Sequence, residues 1–121
     1  MLRKLSILFT LIVLISCGKK IPTLEGIDSE KWKNDRNACL GDRRAMESAI
    51  RTELPKLKGL SEMDIIKLFG RPDGNELYKG NQKFYRYSIT PGADCHTGDS
   101  TTLKLILRFN AMGYAQLVSV E

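Results

Sequence analysis

The chain has a single histidine, His96, and a single tryptophan, Trp32, among its 121 residues. So little histidine removes the common zinc sites, which need several imidazole or thiolate ligands at short spacing. It also leaves any nucleophile with only one candidate imidazole base. There is no Gly-x-Ser-x-Gly elbow, no phosphate-binding glycine loop and no zinc-binding helix motif. Carboxylate pairs exist, Glu25 with Asp28 and Glu62 with Asp64, but they fall where solvation and helix capping account for them. These absences argue against an enzyme, and the sequence implies no catalytic residue, metal, cofactor or small-molecule substrate. Internal repeats and low-complexity tracts are missing too. The one long apolar stretch, residues 7–15 with Thr10 inside it, is well short of the roughly 20 residues that cross a bilayer as a helix.

What that stretch does have is a setting. Arg3 and Lys4 precede it, and Leu14, Ile15, Ser16 and Cys17 follow. A basic start, a short apolar centre and a small residue before the cut describe a secretory leader, removed on export. The last four residues resemble a lipobox, in which the cysteine receives a diacylglycerol on sulfur and becomes the new amino terminus. Cys17 is therefore expected to be a lipid anchor, with residues 1–16 as the signal peptide. Each buried acyl methylene contributes about 0.8 kcal/mol, and stable attachment takes more than one chain.

Removing residues 1–16 takes away Arg3 and Lys4 and no acid, so the charge falls from +5 to a formal +3, with 17 basic and 14 acidic side chains. That balance lacks the dense basic stripe of a nucleic-acid reader, and nucleic acid is not expected as a partner. Lys19 and Lys20 beside the anchor suit either anionic head groups, at about 1 kcal/mol each, or plain solvation. Residues 17–31 read as a lipid-anchored flexible tether, polar and carrying Pro22 and Gly26. Fully extended, such a tether reaches roughly 40 Å. Residues 32–121 suit one small domain, marginal without a cross-link.

Two cysteines remain besides the anchor, Cys39 and Cys95. In an oxidising compartment they are expected to form a disulfide. It would close a loop of about 57 residues, stabilising by about 4 kcal/mol in the chain-entropy description. The competing readings are unpaired reactive thiols and a metal pair that recruits His96.

Along the mature chain, Cys39, Met46, Ile50 and Leu54 recur at helical intervals, with Ala38, Ala45 and Ala49 beside them. The spacing predicts one helix over 35–54, capped by Asn34 or Asp35 and ended by Pro55. Arg36, Arg43, Arg44 and Arg51 fall mostly on its wet side, and Trp32 is placed at the domain edge. Residues 59–72 follow, GLSEMDIIKLFGRP. Ser61 and Asp64 can cap each other's backbone, Ile65, Ile66, Leu68 and Phe69 give a buried side, and Gly70 with Pro72 stops the helix. After turn material at Asp73, Gly74, Gly80 and Asn81, alternation takes over. Strands are expected over 84–89, with Tyr85, Tyr87 and Ile89 inward, over 103–109, and over 114–120 beyond a turn at Gly113. The resulting class is α+β, with two N-terminal helices packed on a three-stranded antiparallel sheet.

Residues 59–72 resemble the signature of the SmpA/OmlA family of small outer-membrane lipoproteins. That signature runs glycine, hydrophobic residue, Ser or Thr, an acidic-led amphipathic turn, then leucine or phenylalanine, glycine, any residue and proline. The likeness extends over residues 59–121 and includes the lipobox. It implies an ααβββ two-layer fold, an outer-membrane location facing the periplasm, and a scaffold role in assembly or maintenance of that membrane through an envelope protein partner. The same unit is similar to β-lactamase inhibitor domains, which gives the alternative of a lipid-anchored inhibitor or immunity-type protein. The motif residues themselves read as caps and core. A candidate partner face is the side of the sheet away from the helices, with Tyr78, Phe84, Arg86 and Ile106.

Overall fold

A computed structural model describes residues 21–78, 82–92, 95 and 102–121. Cys17, Lys19, Lys20 and His96 lie outside them. Among the described residues the chain forms four α-helices and four strands: α1 Ser29–Asn34, a 3-10 turn Arg36–Ala38, α2 Asp42–Ala45, α3 Glu47–Leu57, α4 Glu62–Phe69, β1 Gly74–Tyr78, β2 Gln82–Ser88, β3 Lys104–Phe109 and β4 Ala115–Val120. The strands form one antiparallel sheet in the order β1-β2-β3-β4. None of the described helices is long and apolar enough to cross a membrane. The α+β class and the antiparallel sheet are as expected from the sequence.

The helix expected over 35–54 is broken into pieces. Asn37 and Ala38 both take φ of 59°, and Gly41 takes 87°, left-handed values at which a right-handed helix cannot continue. The cause is local competition for backbone donors. The carboxylate of Asp35 accepts from the amides of Leu40 at 2.6 Å and Arg43 at 2.9 Å, folding the chain around a buried side chain. Cys39 therefore sits in a turn and not on a helical stripe. Pro55 does not end α3 but lies inside it, in its last turn, where few residues follow to need a continued ladder. Asp28, read as part of the tether, is the true cap of α1, accepting from Glu30 and Lys31.

The helix α4 follows its sequence grammar closely. Asp64 donates its amide to the Ser61 hydroxyl at 3.2 Å while the Asp64 carboxylate meets the Ser61 amide at 3.4 Å, a reciprocal cap that satisfies two free donors. Gly70 ends the helix at φ 76°, and Gly113 turns the last hairpin at φ 85°. Both positive values favour glycine.

A fourth strand, β1, begins at Gly74, read as turn material, and fills residues 75–78, to which the sequence assigned no element; the other expected turn, at Gly80 and Asn81, lies outside the described residues. Gly74, Asn75 and Glu76 are poor strand formers, so the strand owes its existence to pairing with β2, from Gly74 opposite Arg86 to Tyr78 opposite Gln82. Packing also begins earlier than expected. Leu24 is buried and Ile27 packs on the core, so the second half of the stretch read as a free tether lies on the domain, running beside Ala49 and Lys56 of α3.

The core is one layer deep between helices and sheet. Trp32, Ile50, Leu57, Ile65 and Phe69 come from the helices and meet Tyr85, Tyr87, Leu105, Leu107 and Phe109 from the sheet. Trp32, placed at the domain edge by the sequence reading, has no exposed surface. It meets Phe69 edge-on at 5.3 Å and Tyr87 at 6.3 Å between ring centres, so its ring is a packing element and not a docking anchor.

Candidate interaction face

Strand alternation sends Tyr85, Tyr87, Leu105 and Leu107 into the core and their neighbours to the opposite side of the sheet. The register sorts that outer side into rows. Gly74, Arg86, Ile106 and Ser119 form one, and Glu76, Phe84, Arg108 and Leu117 the next. Tyr78 takes the register position opposite Gln82, in the same alternating set. Phe84, Arg86 and Ile106, three of the four residues singled out from sequence, therefore share a side, and the structure adds Lys104, Arg108 and Leu117 to it. Phe84, Arg86 and Ile106 are partly exposed, and Leu117 is 45% exposed. Among the described residues no helix covers this side.

Charge on the face is mixed but mostly positive. Arg86 donates to Glu76, and that bond, ahead of the general attraction of the guanidinium, holds the Glu76 carboxyl below its usual range. The pair is surface-exposed and adds little stability. Lys104 and Arg108 on β3 carry no such salt bridge among the described residues. At one end the face dips into a cleft of about 150 Å³ lined by Asn37, Asp73, Gly74, Arg86, Ser88 and Lys104.

The floor of that cleft is a buried ionic hub that the sequence did not announce. Arg43, assigned to the wet side of a helix, has a side chain only 1% exposed, and that of Asp73 is 6% exposed. The guanidinium donates to the Asp73 carboxylate at 2.5 Å, to the Ser88 carbonyl at 3.1 Å and to the Trp32 carbonyl at 2.9 Å. It also lies 4.8 Å from the centre of the Trp32 ring, close enough for a cation–π contact. Asp73 in turn accepts from the amides of Ser88 at 2.8 Å and Asn37 at 3.1 Å. Every part of this hub is spent on holding the 3-10 turn, β2 and the helix layer together. No short-range pattern could reveal it, because Arg43 and Asp73 are 30 residues apart.

Cys39 and Cys95 are bridged, with Cα atoms 5.5 Å apart and a sequence separation of 56. The bond ties the turn after the 3-10 segment to the loop beyond β2, next to the hub. At the other end of the sheet, Tyr85 donates to Glu62 at 3.0 Å, and Lys83 meets the same carboxylate oxygen at 3.3 Å. Burial, reinforced by the Glu62 carboxylate, pushes the Tyr85 hydroxyl up to about 12. Tyr87, donating to the Gly70 carbonyl at 2.7 Å, is pushed up further, mainly by burial.

This arrangement suits contact with a partner surface. Most of its polar groups are paired structurally or spread over an open sheet, while Arg108 Nε is buried without a hydrogen-bond partner among the described residues. Compared with protein-family models, with curated proteins and with solved structures, the chain matches none.

Proposed function

We propose that the protein is a cell-envelope lipoprotein, anchored through lipid on Cys17, whose domain binds another envelope protein through the outer face of its sheet and performs no catalysis. The observation that carries this reading is the uncovered outer sheet face, where Phe84, Ile106 and Leu117 alternate with Arg86, Lys104 and Arg108. Aromatic and arginine side chains on an open surface are common anchors of protein interfaces. The resemblance of residues 59–72 to SmpA/OmlA lipoproteins points the same way, toward a scaffold in outer-membrane assembly or maintenance.

Tether length gives the reading a geometry. With Leu24 packed on the core, six residues lie between the anchor and the domain, a reach of about 25 Å at most. From Thr23 to Gly26 the chain runs along α3, on the opposite side of the sheet from the proposed interaction face. Holding a weak binder so close raises its local concentration, because a second contact becomes effectively intramolecular.

The test is recovery of the full-length protein from chemically crosslinked envelopes, as wild type and as Ile106→Glu. Loss of specific co-purifying proteins in the variant, with membrane fractionation unchanged, is the expected result. An identical set of partners would overturn the assignment of this face. An envelope hydrolase inhibited by the purified protein would favour the inhibitor reading instead.

A further inference from the structure

Three of the four strands carry charged side chains: Glu76 on β1, Lys83 and Arg86 on β2, Lys104 and Arg108 on β3. Ala115–Val120, the edge strand β4, has none. Edge strands with exposed ladder groups are usually guarded by charge, proline or cover, because they are templates for further pairing. Here the guard is partial. Ala115 exchanges backbone bonds with Gly59 and Leu60 at 2.8 Å each, which covers the first residue of the strand and stops there.

Hydrogen-bond alternation identifies what remains open. Lys104 and Glu121 exchange both backbone bonds, at 2.7 and 2.9 Å, and Ser119 is the residue opposite Ile106. In an antiparallel ladder every second residue faces its partner strand and the ones between face outward. Val118 and Val120 therefore present their N–H and C=O groups to the open edge, and among the described residues nothing meets them. Val118 and Val120 are also only partly covered by the core.

We infer that β4 is a self-pairing edge, on which a second copy of this chain adds its own β4 antiparallel, extending the sheet to eight strands about a two-fold axis at Ser119. The register follows from the open groups. With Ser119 opposite its own copy, Val118 pairs with the partner's Val120 and Val120 with the partner's Val118, so all four outward donors are satisfied. An uncharged strand meets its own antiparallel copy without a like-charge pair, which β1, β2 and β3 cannot do so freely. The axis also keeps the second strand clear of the Gly59–Leu60 cover at Ala115. Such a dimer is isologous and closed, so it stops at two copies, and it doubles the outer face without hiding it. This inference does not depend on the anchor.

Ser119 at the axis sits in a non-hydrogen-bonded pair, where Cα atoms stand about 4.5 Å apart, within the range a disulfide spans. Leu117, on the same side of the sheet, is displaced from its own copy by about 14 Å along the strands. Mild oxidation of purified full-length Ser119→Cys should move the chain to twice its mass on a non-reducing gel, while Leu117→Cys and the wild type stay at monomer mass. The wild type also reports any bridging through Cys17. Sedimentation of the wild type should give a dimer, and Ser119→Lys, which places two like charges at the axis on a partly exposed side of the sheet, a folded monomer by its unchanged thermal transition under conditions where the dimer is dissociated. A monomeric wild type, equal crosslinking at positions 117 and 119, or adducts of Ser119→Cys only with a different protein would each overturn the inference.

Discussion

Replacing Arg43 with methionine is the sharpest perturbation of the fold. The side chain keeps its approximate length and its packing over Trp32, but the guanidinium bonds to Asp73, Ser88 and Trp32 are lost. The Asp73 carboxylate is left 6% exposed with only two backbone amides for partners. Removing one member of a buried ion pair costs about 3–5 kcal/mol, because the other charge stays buried and uncompensated. A domain of this size has about 5–15 kcal/mol in total, so the variant loses a large share of its stability. At about 4–8 °C per kcal/mol for a small domain, the midpoint of thermal unfolding should fall by at least about 12 °C.

A second change distinguishes charge from packing. Adding Asp73→Asn to Arg43→Met removes the uncompensated carboxylate, so the double variant should lose less than the sum of the two single losses, by a coupling of about 0.5–3 kcal/mol. Urea unfolding under oxidising conditions, with the disulfide intact, measures all four species. A loss below about 1 kcal/mol for Arg43→Met, or strict additivity in the cycle, would refute the argument that this pair is buried and coupled.

Further expectations concern other parts of the molecule. Cys39→Ser with Cys95→Ser should lower stability by about 2–4 kcal/mol relative to the oxidised protein, measured by the same urea titration; an unchanged midpoint would mean that the bridge constrains little. Gly70→Ala should cost about 1–3 kcal/mol, since φ is 76° and an added Cβ would stand 3.0 Å from the Lys33 side chain; a neutral result would contradict that backbone conformation. Alkaline titration followed at the phenolate absorption band should show Tyr85 ionising at about 12. An ordinary phenol ionises near 10, so between about 10 and 12 the unfolded chain gives up this proton while the folded chain keeps it. Stability is therefore complete below the unfolded value and is lost as pH rises toward the folded one. Tyr85→Phe should remove its share of that loss.

How far the sequence could be read depended on the range of the interaction that set each feature. The cap at Ser61 and Asp64, the stop at Gly70 and the turn at Gly113 are all decided within a few residues, and all stand where the local pattern put them. The inward alternation of β2 and β3 was equally legible, because one covered face imposes a period of two. The breaks at Asn37, Ala38 and Gly41 were not, because the apolar spacing from Met46 to Leu54 extends smoothly backward to Cys39 while a buried Asp35 redirects the backbone. β1 was hidden for the converse reason, a strand of poor strand formers held by a neighbour. Of the candidate face, Phe84, Arg86 and Ile106 were legible from alternation alone. The hub beneath it was not, since the partners of Arg43 come from three distant parts of the chain.

The account rests on a domain held near a bilayer by lipid on Cys17, and the most direct measurement is the intact mass of the protein extracted from the cell envelope. The account predicts a chain that begins at Cys17 and carries the added mass of fatty-acyl groups on that residue. A chain that retains residues 1–16, or one that begins at an unmodified Cys17, would contradict it.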